Sequence, residues 1–337
     1  MTARGRRPSG MTEFELIDRF VRALPRAGEG VVLGPGDDAA LLRAPAGEDL
    51  AATVDAVVEG VHFDARFSTE DIGWKALAVN LSDVAAMGAR PRWALVALAL
   101  PRGTSTARVE GVARGLGACA RRHGVAVVGG NVTRAAELAV TVTVVGSVRR
   151  GRALRRDGAR PGDVVLVSGT VGDAALGVEP GAAAPLAARQ RRPAPRLELG
   201  RALAGIASSA VDVSDGLVQD LGHVCAASGV AAEVRAGDLP LSPAYRAATR
   251  GRDAPWTPAL AGGEDYELLV TVAPHRLAAA LRAARRAGTP LTAIGEIRRA
   301  RGGGVRVRAP DGAVLPPVRG HDHLAGGRSL GVPRGTP

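Results

Sequence analysis

The stretch KALAVNLSDVAAMGARP, residues 75–91, sets a single carboxylate in a run of apolar residues with helical spacing. This spacing predicts a helix over residues 69–87, with Ser68 or Thr69 as its N-terminal cap. Asp83 lies inside the predicted helix, where an unpaired buried carboxylate would cost several kcal/mol. The pattern therefore indicates that a metal ion or another cation balances Asp83.

Four other segments place acidic residues beside glycine, serine or a predicted strand. They are Gly36-Asp37-Asp38, Thr53-Val54-Asp55, Asp212-Val213-Ser214-Asp215-Gly216 and Gly262-Gly263-Glu264-Asp265. If these segments converge, each carboxylate pair about 4 Å apart repels by roughly 4 kcal/mol at an effective dielectric of about 20, so divalent cations are required. Because no His or Cys cluster accompanies these oxygen ligands, Mg²⁺ is favoured over zinc. Magnesium held beside glycine-rich backbone suits a polyphosphate, which predicts nucleotide chemistry.

Segment 212–216 is predicted to connect a strand to a helix, so its free N–H groups would face a pocket and bind a phosphate or a metal–phosphate complex. Each motif also has an ordinary interpretation. These are an acidic turn at residues 34–38, a turn starter at Asp55, a half-buried histidine at His62, and a helix cap at Ser214 or Asp215. Capping alone would leave Asp212 unexplained. The chain contains no GxxxxGK[ST] motif, which excludes a P-loop enzyme.

The composition predicts a cytoplasmic protein of two domains. A chain of 337 residues is long for one core, and two domains of about 150 residues each are expected. The net charge is +11, but Lys75 is the only lysine and the arginines are scattered, so no nucleic-acid partner is expected. Cys119 and Cys225 have no CxxC partner and are expected to be reduced and buried. No apolar run approaches the roughly 18 residues of a membrane span, so no membrane partner is expected either.

Taken in series, the motifs resemble the thiamine-monophosphate kinase family, of the superfamily that includes aminoimidazole ribonucleotide synthetase. The resemblance covers residues 13–324 and rests on GPGDDAALL (34–42), DAVVEGVHF (55–63), residues 75–91, VDVSDGL (211–217) and GGEDYEL (262–268). It implies a homodimer with a two-domain α/β (α+β) fold. Within the matched range it implies an ATP- and magnesium-binding dimerisation domain at 11–150 and a C-terminal α/β domain at 151–324. The composition of the two ends predicts a disordered extension at 1–10 and a flexible tail at 325–337. The N-terminal sheets of two subunits would join in a shared β-barrel.

The resemblance also implies three groups of site residues. Magnesium ions would be held by Asp38, Thr53, Asp55, Asp83, Asn131, Asp212 and Asp215. The co-substrate ATP would contact Gly130, Asn131, Arg156 and Ser214. Thiamine monophosphate would contact His62, Glu264 and His321. No catalytic base is expected, because the attacking phosphate oxygen of the substrate is already ionised near pH 7.

Two positions depart from the family pattern. Asn131 replaces an aspartate, which should weaken magnesium binding, and His321 replaces an aromatic residue, which should weaken stacking on the substrate ring. These departures leave open a scaffold that binds its ligands without turnover. A second alternative is a superfamily member that phosphorylates a carbonyl oxygen or selenide. The selenide-phosphorylating enzyme requires a reactive cysteine near its N-terminus, and the first cysteine in this chain is Cys119.

Overall fold

The computed structural model describes residues 13–300, 304–318 and 320. The predicted disordered extension at 1–10, the predicted tail at 325–337 and the predicted substrate contact His321 lie outside the described residues. Within them, the chain forms two α/β parts, each built on its own sheet. No helix among these residues is long and apolar enough to cross a membrane.

The first part is a four-stranded sheet with helices on one face. Its elements are α1 (Glu13–Arg22), β1 (Val31–Leu33), β2 (Leu41–Leu42), β3 (Glu48–Val58), α2 (Thr69–Ala86), β4 (Arg90–Leu100), α3 (Thr106–His123), β5 (Ala126–Arg134) and β6 (Ala139–Arg149). Strands β1 and β2 form a separate pair, and the main sheet has the order β3-β6-β4-β5. In the described part of this chain the sheet is open, with β3 and β5 at its edges, and does not close into a barrel.

Helix α2 is buried on most of its surface because it lies between the sheet and α3. The Ser68 hydroxyl accepts the Asp71 N–H, and the Asp71 carboxylate accepts the Ser68 N–H, which confirms Ser68 as the predicted cap. The two helices touch through their backbones: a Cβ on Gly73 would lie 1.9 Å from the Val112 carbonyl oxygen. The helix therefore has one fixed position, which directs Asp83 toward the sheet.

The second part is a six-stranded sheet in the order β12-β9-β11-β7-β10-β8. Its elements are β7 (Val164–Ser168), α4 (Asp173–Gly177), α5 (Ala184–Arg191), α6 (Leu197–Leu203), β8 (Ser209–Asp212), α7 (Leu217–Ser228), β9 (Val230–Arg235), α8 (Pro243–Ala248), α9 (Thr257–Ala261), β10 (Leu268–Val272), α10 (Leu277–Arg286), β11 (Leu291–Arg299) and β12 (Gly304–Arg308). Strands β8 and β10 are antiparallel neighbours, and Asp212 is paired with Leu268. The segments that follow β8 and precede β10 are therefore side by side.

Candidate active site

Four acidic residues from the two parts of the fold converge on one cleft. Thr53 and Asp55 of β3 are aligned with Val144 and Val142 of β6, which are both fully buried, so the two polar residues share the face that α2 covers. Asp83 comes from α2, Asp212 ends β8, and Asp215 follows it in the next loop. The predicted metal positions in this cleft thus come from β3, from α2, and from the end of β8 with the loop that follows it, a combination that no single motif contains.

Hydrogen bonds orient the two carboxylates at the centre of this group. Thr53 Oγ1 donates to Asp83 Oδ2 at 2.6 Å. Ser82 Oγ, also on α2, donates to Asp212 Oδ2 at 2.7 Å. Since Ser82 and Asp212 belong to different parts of the fold, this bond also fixes the two sheets relative to each other at the cleft.

The cleft raises the pKa values of its own carboxyl groups. Although Asp55 is exposed as a residue, desolvation by the cleft walls, followed by the charges of Asp83 and Asp215, raises the pKa of its carboxyl to about 6. Burial and then the Asp83 charge raise the pKa of Asp212 to about 8. Burial also raises the pKa of Asp83, although the Thr53 hydrogen bond and the Arg156 charge oppose that effect. Without added cations, the cluster therefore keeps protons that carboxylates elsewhere have lost.

Two cavities meet at this acidic group. The first, about 590 Å³, is lined by Asp55, His62, Asp215, Glu264 and other residues, and the second, about 550 Å³, by Thr53, Arg155 and Arg156 among others. Asp83 and Asp212 line both cavities. The two aspartates therefore stand between two compartments, of which the second carries the arginines.

The loop after β8 differs from its prediction. The N–H groups of Ser214, Asp215 and Gly216 donate to Asp220 Oδ2 at 3.0, 3.1 and 3.1 Å. The expectation that these groups are free to bind a phosphate is therefore wrong, because a carboxylate of the chain already accepts them. Ser214 and Asp215 do not cap α7 either, since the cap position is Gly216, with φ 124°.

The loop before β10 contains Glu264 and packs against the loop after β8. The Glu264 N–H donates to the Ser214 carbonyl at 2.8 Å, and Glu264 adopts a left-handed φ of 69°. Its carboxylate accepts hydrogen bonds from Lys75 Nζ at 2.5 Å and Gln190 Nε2 at 3.1 Å. The next residue, Asp265, is buried and accepts the Gly172 N–H at 2.7 Å, so it orders the backbone before α4 rather than facing the cavity.

His62 lines the first cavity from the opposite wall. Its Nδ1 accepts the Val58 N–H at 3.1 Å, which fixes the ring orientation. Its carbonyl accepts a hydrogen bond from Lys75 Nζ at 2.9 Å. His62 and Glu264, the two described residues that were predicted to contact the substrate, therefore line the same compartment.

Three predicted positions lie away from the acidic group in this chain. Asp38 is exposed beyond β1 and lines neither cavity. Asp55 and Gly130 occupy one row across the sheet but are separated by β6 and β4, a span of roughly 14 Å at the usual strand spacing. Asn131 follows Gly130 and is aligned with Ala97 and Thr141, so it projects from the opposite face. The structure does not bring Asp38, Gly130 or Asn131 to Asp83 within one chain.

Sequence reasoning missed Lys75, Gln190 and Asp220, which are all buried and all bonded to the loops of the site. Asp220 had a weak signal, since an acidic residue in the first turn of a helix commonly satisfies N-terminal N–H groups. Lys75 had a compositional signal, because it is the only lysine beside 43 arginines among 44 basic residues. Gln190 had none.

Models of one family match most of the chain. Residues 36–148 match the AIR synthase related protein, N-terminal domain, and residues 160–308 match the AIR synthase related protein, C-terminal domain. The chain is 42% identical over 296 residues to the thiamine-monophosphate kinase of Salmonella typhimurium, covering 85% of this chain and 90% of that protein. It is 39% identical over 324 residues to the Escherichia coli K12 thiamine-monophosphate kinase, covering 93% and 98%.

Solved structures agree with the sequence matches. The crystal structure of thiamine-monophosphate kinase from Stenotrophomonas maltophilia K279a has a TM-score of 0.79 at 45% identity, covering 90% of this chain and 98% of that one. AaThiL complexed with AMPPCP and TMP has a TM-score of 0.74 at 34% identity, covering 96% and 100%. Hydrogenase maturation protein HypE, at 24% identity and a TM-score of 0.73, shares the fold.

Proposed function

The chain belongs to the thiamine-monophosphate kinase family, and from this premise we propose that it transfers the γ-phosphoryl group of ATP to thiamine monophosphate, giving thiamine diphosphate and ADP. The resemblance inferred from the sequence motifs is thereby confirmed. The observation that carries the proposal is the pair of cavities separated by Asp83 and Asp212. Each of the two phosphorylated substrates would occupy one cavity. Their phosphate groups would meet at the acidic wall, which is formed by Asp83 and Asp212.

We assign ATP to the second cavity, which Arg156 lines, and thiamine monophosphate to the first. Ser214, which the sequence predicted to contact ATP, lines the first cavity instead. Arg156 gives the second cavity a cation that suits a triphosphate, whereas Arg155, which also lines this cavity, is paired with Asp157 at 2.5 Å. His62 and Glu264 line the first cavity, and the Glu264 carboxylate can face the positively charged thiazolium ring. AaThiL, similar over 96% of this chain, binds AMPPCP and TMP together, which supports two neighbouring sites.

The donor set fits magnesium. The ligands that line the two cavities where they meet are oxygen atoms of Thr53, Asp55, Asp83, Asp212 and Asp215, and burial has raised the pKa of the central carboxyl groups. The raised pKa values show that the ionised carboxylates are poorly solvated and repel one another. A divalent cation would offset both effects, because it supplies the positive charge that bound protons otherwise supply. When bound, Mg²⁺ would neutralise phosphate oxygens and allow two anions to approach.

The residues of the chain supply position rather than proton transfer. Because the acceptor phosphate is already ionised near pH 7, the site needs no general base. Ser82 and Thr53 orient the two central carboxylates, and Asp220 orders the loop that carries Asp215. Rate enhancement would come from alignment of the two phosphates and from fixed charge around them.

We further propose that the protein is a homodimer in which the N-terminal sheets form a shared β-barrel. The face of the sheet opposite α2 exposes apolar side chains: Leu50 is 52% exposed, Val54 58% and Leu95 43%. Exposed apolar residues in one continuous patch favour a protein interface. Asn131 projects from the same face, so a dimer offers the route by which Asn131, Gly130 and Asp38 could reach a nucleotide. A cytoplasmic location remains part of the proposal, supported by Cys119 and Cys225, which are buried and free of disulfides.

One assay tests the function directly. The purified protein is incubated with ATP, Mg²⁺ and thiamine monophosphate, and thiamine diphosphate and ADP are quantified by chromatography. We expect the two products in equal amounts, and little reaction with unphosphorylated thiamine, which lacks the ionised nucleophile. Binding of both substrates without products would favour the scaffold, and equal rates with thiamine would favour a hydroxyl kinase.

A further inference from the structure

Lys75 is a buried charge beside the first cavity. It lies in the middle of α2, is 0% exposed, and does not line either cavity. Its ammonium group donates to Glu264 Oε1 at 2.5 Å and to the His62 carbonyl at 2.9 Å, and it lies 5.3 Å from the centre of the Phe67 ring. A buried ammonium persists only where such partners stabilise it.

These contacts join three separate segments of the chain. Lys75 belongs to the first part of the fold, His62 to the loop after β3, and Glu264 to the loop before β10 in the second part. The ammonium therefore ties the two walls of the first cavity to each other. Gln190 of α5 holds the second Glu264 oxygen, so both oxygens of this carboxylate are oriented.

The conformation of Glu264 explains why such a tie is needed. Its φ of 69° is in the left-handed region, which costs a non-glycine residue free energy unless surrounding contacts hold it. The Glu264 N–H bond to the Ser214 carbonyl holds the backbone, and the Lys75 contact holds the side chain. Loss of the ammonium would leave the carboxylate without its ionic partner and free the side chain to turn.

The size and shape of the cation also matter. Lys75 presents a compact ammonium with three donor hydrogens, whereas an arginine presents a wide planar fork. Every other position with a permanent cationic side chain in this chain is arginine. The ammonium lies beside the buried Phe67 ring, which itself packs against the buried Phe63 ring, so a larger guanidinium would have to displace this ring pair.

We propose that Lys75 is a positioning residue for the acceptor substrate: it acts through Glu264 and His62 and sets the shape of the thiamine-monophosphate compartment. This inference rests on the proposed function, which assigns the first cavity to that substrate. The positioning role of Lys75 concerns only one of the two substrates, because Lys75 does not line the arginine-lined cavity assigned to ATP. Its loss should therefore affect thiamine monophosphate and leave ATP almost unaffected.

Kinetics and direct binding test this separation. For Lys75→Met and Lys75→Arg, initial rates are measured against each substrate with the other saturating, and the Kd for thiamine monophosphate is measured by calorimetry without ATP. We expect both KM and Kd for thiamine monophosphate to rise about tenfold or more, and KM for ATP to change less than about twofold. Arg92→Met is the matched control, since Arg92 is 7% exposed, pairs with Glu48 and Glu29, and lines neither cavity. It should lower the Tm without the selective change in KM.

A charge-balanced variant keeps the test decisive if Lys75→Met alone fails to fold. Because the ion pair with Glu264 is the main route by which Lys75 acts and the His62 carbonyl contact is the smaller one, the variant Lys75→Met with Glu264→Gln should match Glu264→Gln alone in Kd for thiamine monophosphate, within about threefold. Additive losses in the double variant, equal increases in both KM values, or wild-type constants in Lys75→Met would each overturn the proposal. Failure of the proposed function would instead be seen in the wild-type protein, as absence of thiamine diphosphate.

The single lysine offers an independent readout. Protein labelled with ¹³C at lysine Cε gives one lysine side-chain signal in an NMR spectrum, which belongs to Lys75. We expect thiamine monophosphate to shift this signal and ATP alone to leave it in place, since only the first cavity adjoins Lys75 through Glu264 and His62. A signal that shifts with ATP alone, or one insensitive to both ligands, would contradict the assignment.

Discussion

Asp83 lies where the two cavities of the cleft meet. It lines both cavities, accepts the Thr53 hydroxyl, and lies near Asp55 and Asp212, whose pKa values its charge raises. We expect Asp83→Asn to lower kcat on the order of a hundredfold or more, because it removes a fixed charge at the transferring phosphate. In the absence of magnesium its Tm should equal or exceed that of the wild type, since the variant relieves like-charge repulsion.

Paired kinetic and thermal measurements check this expectation. The rise in Tm that magnesium and ATP produce in the wild type should be largely lost in Asp83→Asn. Near-normal turnover at moderate magnesium would remove Asp83 from the metal site. A large loss of Tm in EDTA would mean that the carboxylate is structural.

His123 gives the protein a specific weakness to acid. Burial, followed by the positive charge of Arg122, lowers the pKa of the imidazole to about 4, although Glu198 opposes the shift. Its Nε2 is buried without a hydrogen-bond partner among the described residues, and its ring contacts Trp74 edge-on. Between pH 6.5 and 4 the unfolded chain therefore binds a proton that the folded protein resists, so stability falls as pH falls.

We expect His123 to account for about 2 kcal/mol of the stability lost between pH 7 and 4.5, a value reduced for partial exposure to solvent. In His123→Phe, which keeps an aromatic ring beside Trp74, that share of the loss should disappear. Urea unfolding of both proteins at the two pH values measures it. Identical pH dependence in the two proteins would show that His123 titrates normally.

At the scale of elements, α2 and α3 are held together by backbone contact at glycine. A methyl group on Gly73 would lie 1.9 Å from the Val112 carbonyl oxygen and 2.7 Å from the Leu116 nitrogen. We expect Gly73→Ala to lower the free energy of unfolding by about 3 kcal/mol, because the helices must separate to accept it. Activity should fall as well, since α2 carries both Asp83 and Lys75.

The control for this variant is Gly222→Ala in α7. A Cβ at Gly222 meets nothing within 4 Å, so the same substitution should raise the free energy of unfolding by roughly 0.5–1 kcal/mol through helix propensity. Guanidinium unfolding curves for the two variants should therefore move in opposite directions. Equal stability of Gly73→Ala and the wild type would mean that the α2–α3 contact can relax.

The secondary-structure elements also show which features local sequence signals could predict and which they could not. Local signals were sufficient for α2 and its Ser68 cap, because the capping box and the apolar pattern lie within one segment. They were insufficient for Lys75, Gln190 and Asp220, whose partners lie 189, 74 and up to 6 positions away along the chain. Asp220 was missed even though its partners are close in sequence, because only the fold shows that its oxygen takes three N–H groups. The arrangement of Asp55, Asp83 and Asp212 was expected from the family motifs, not from propensity.

At the scale of the whole molecule, the sheet face opposite α2 exposes apolar side chains that the described part of a single chain does not cover. Val54 and Leu95 are aligned with Thr143 in one row across the sheet and are 58% and 43% exposed. If two such faces meet in a dimer, a carboxylate in that row would be buried unpaired. We expect Val54→Asp to convert the proposed dimer to monomers and to reduce activity.

Analytical ultracentrifugation measures the change, with turnover assayed on the same samples. Val314→Asp is the control, because Val314 is 54% exposed but belongs to the second part of the fold. It should leave both the sedimentation coefficient and the rate unchanged. A wild-type protein that sediments as a monomer and is fully active would exclude the shared barrel and leave Asp38, Gly130 and Asn131 without a role in catalysis.

The acidic wall between the two cavities constrains the compounds that could block both at once. With the proposed assignment of the two cavities, an inhibitor that links a thiamine-like ring to an adenosine would pass beside Asp83 and Asp212, which line both compartments. An alkyl tether there would desolvate the two carboxyl groups without compensating them. A tether of phosphates would carry its own cations into the gap, so for a linked compound the charge of the connector should matter more than its length.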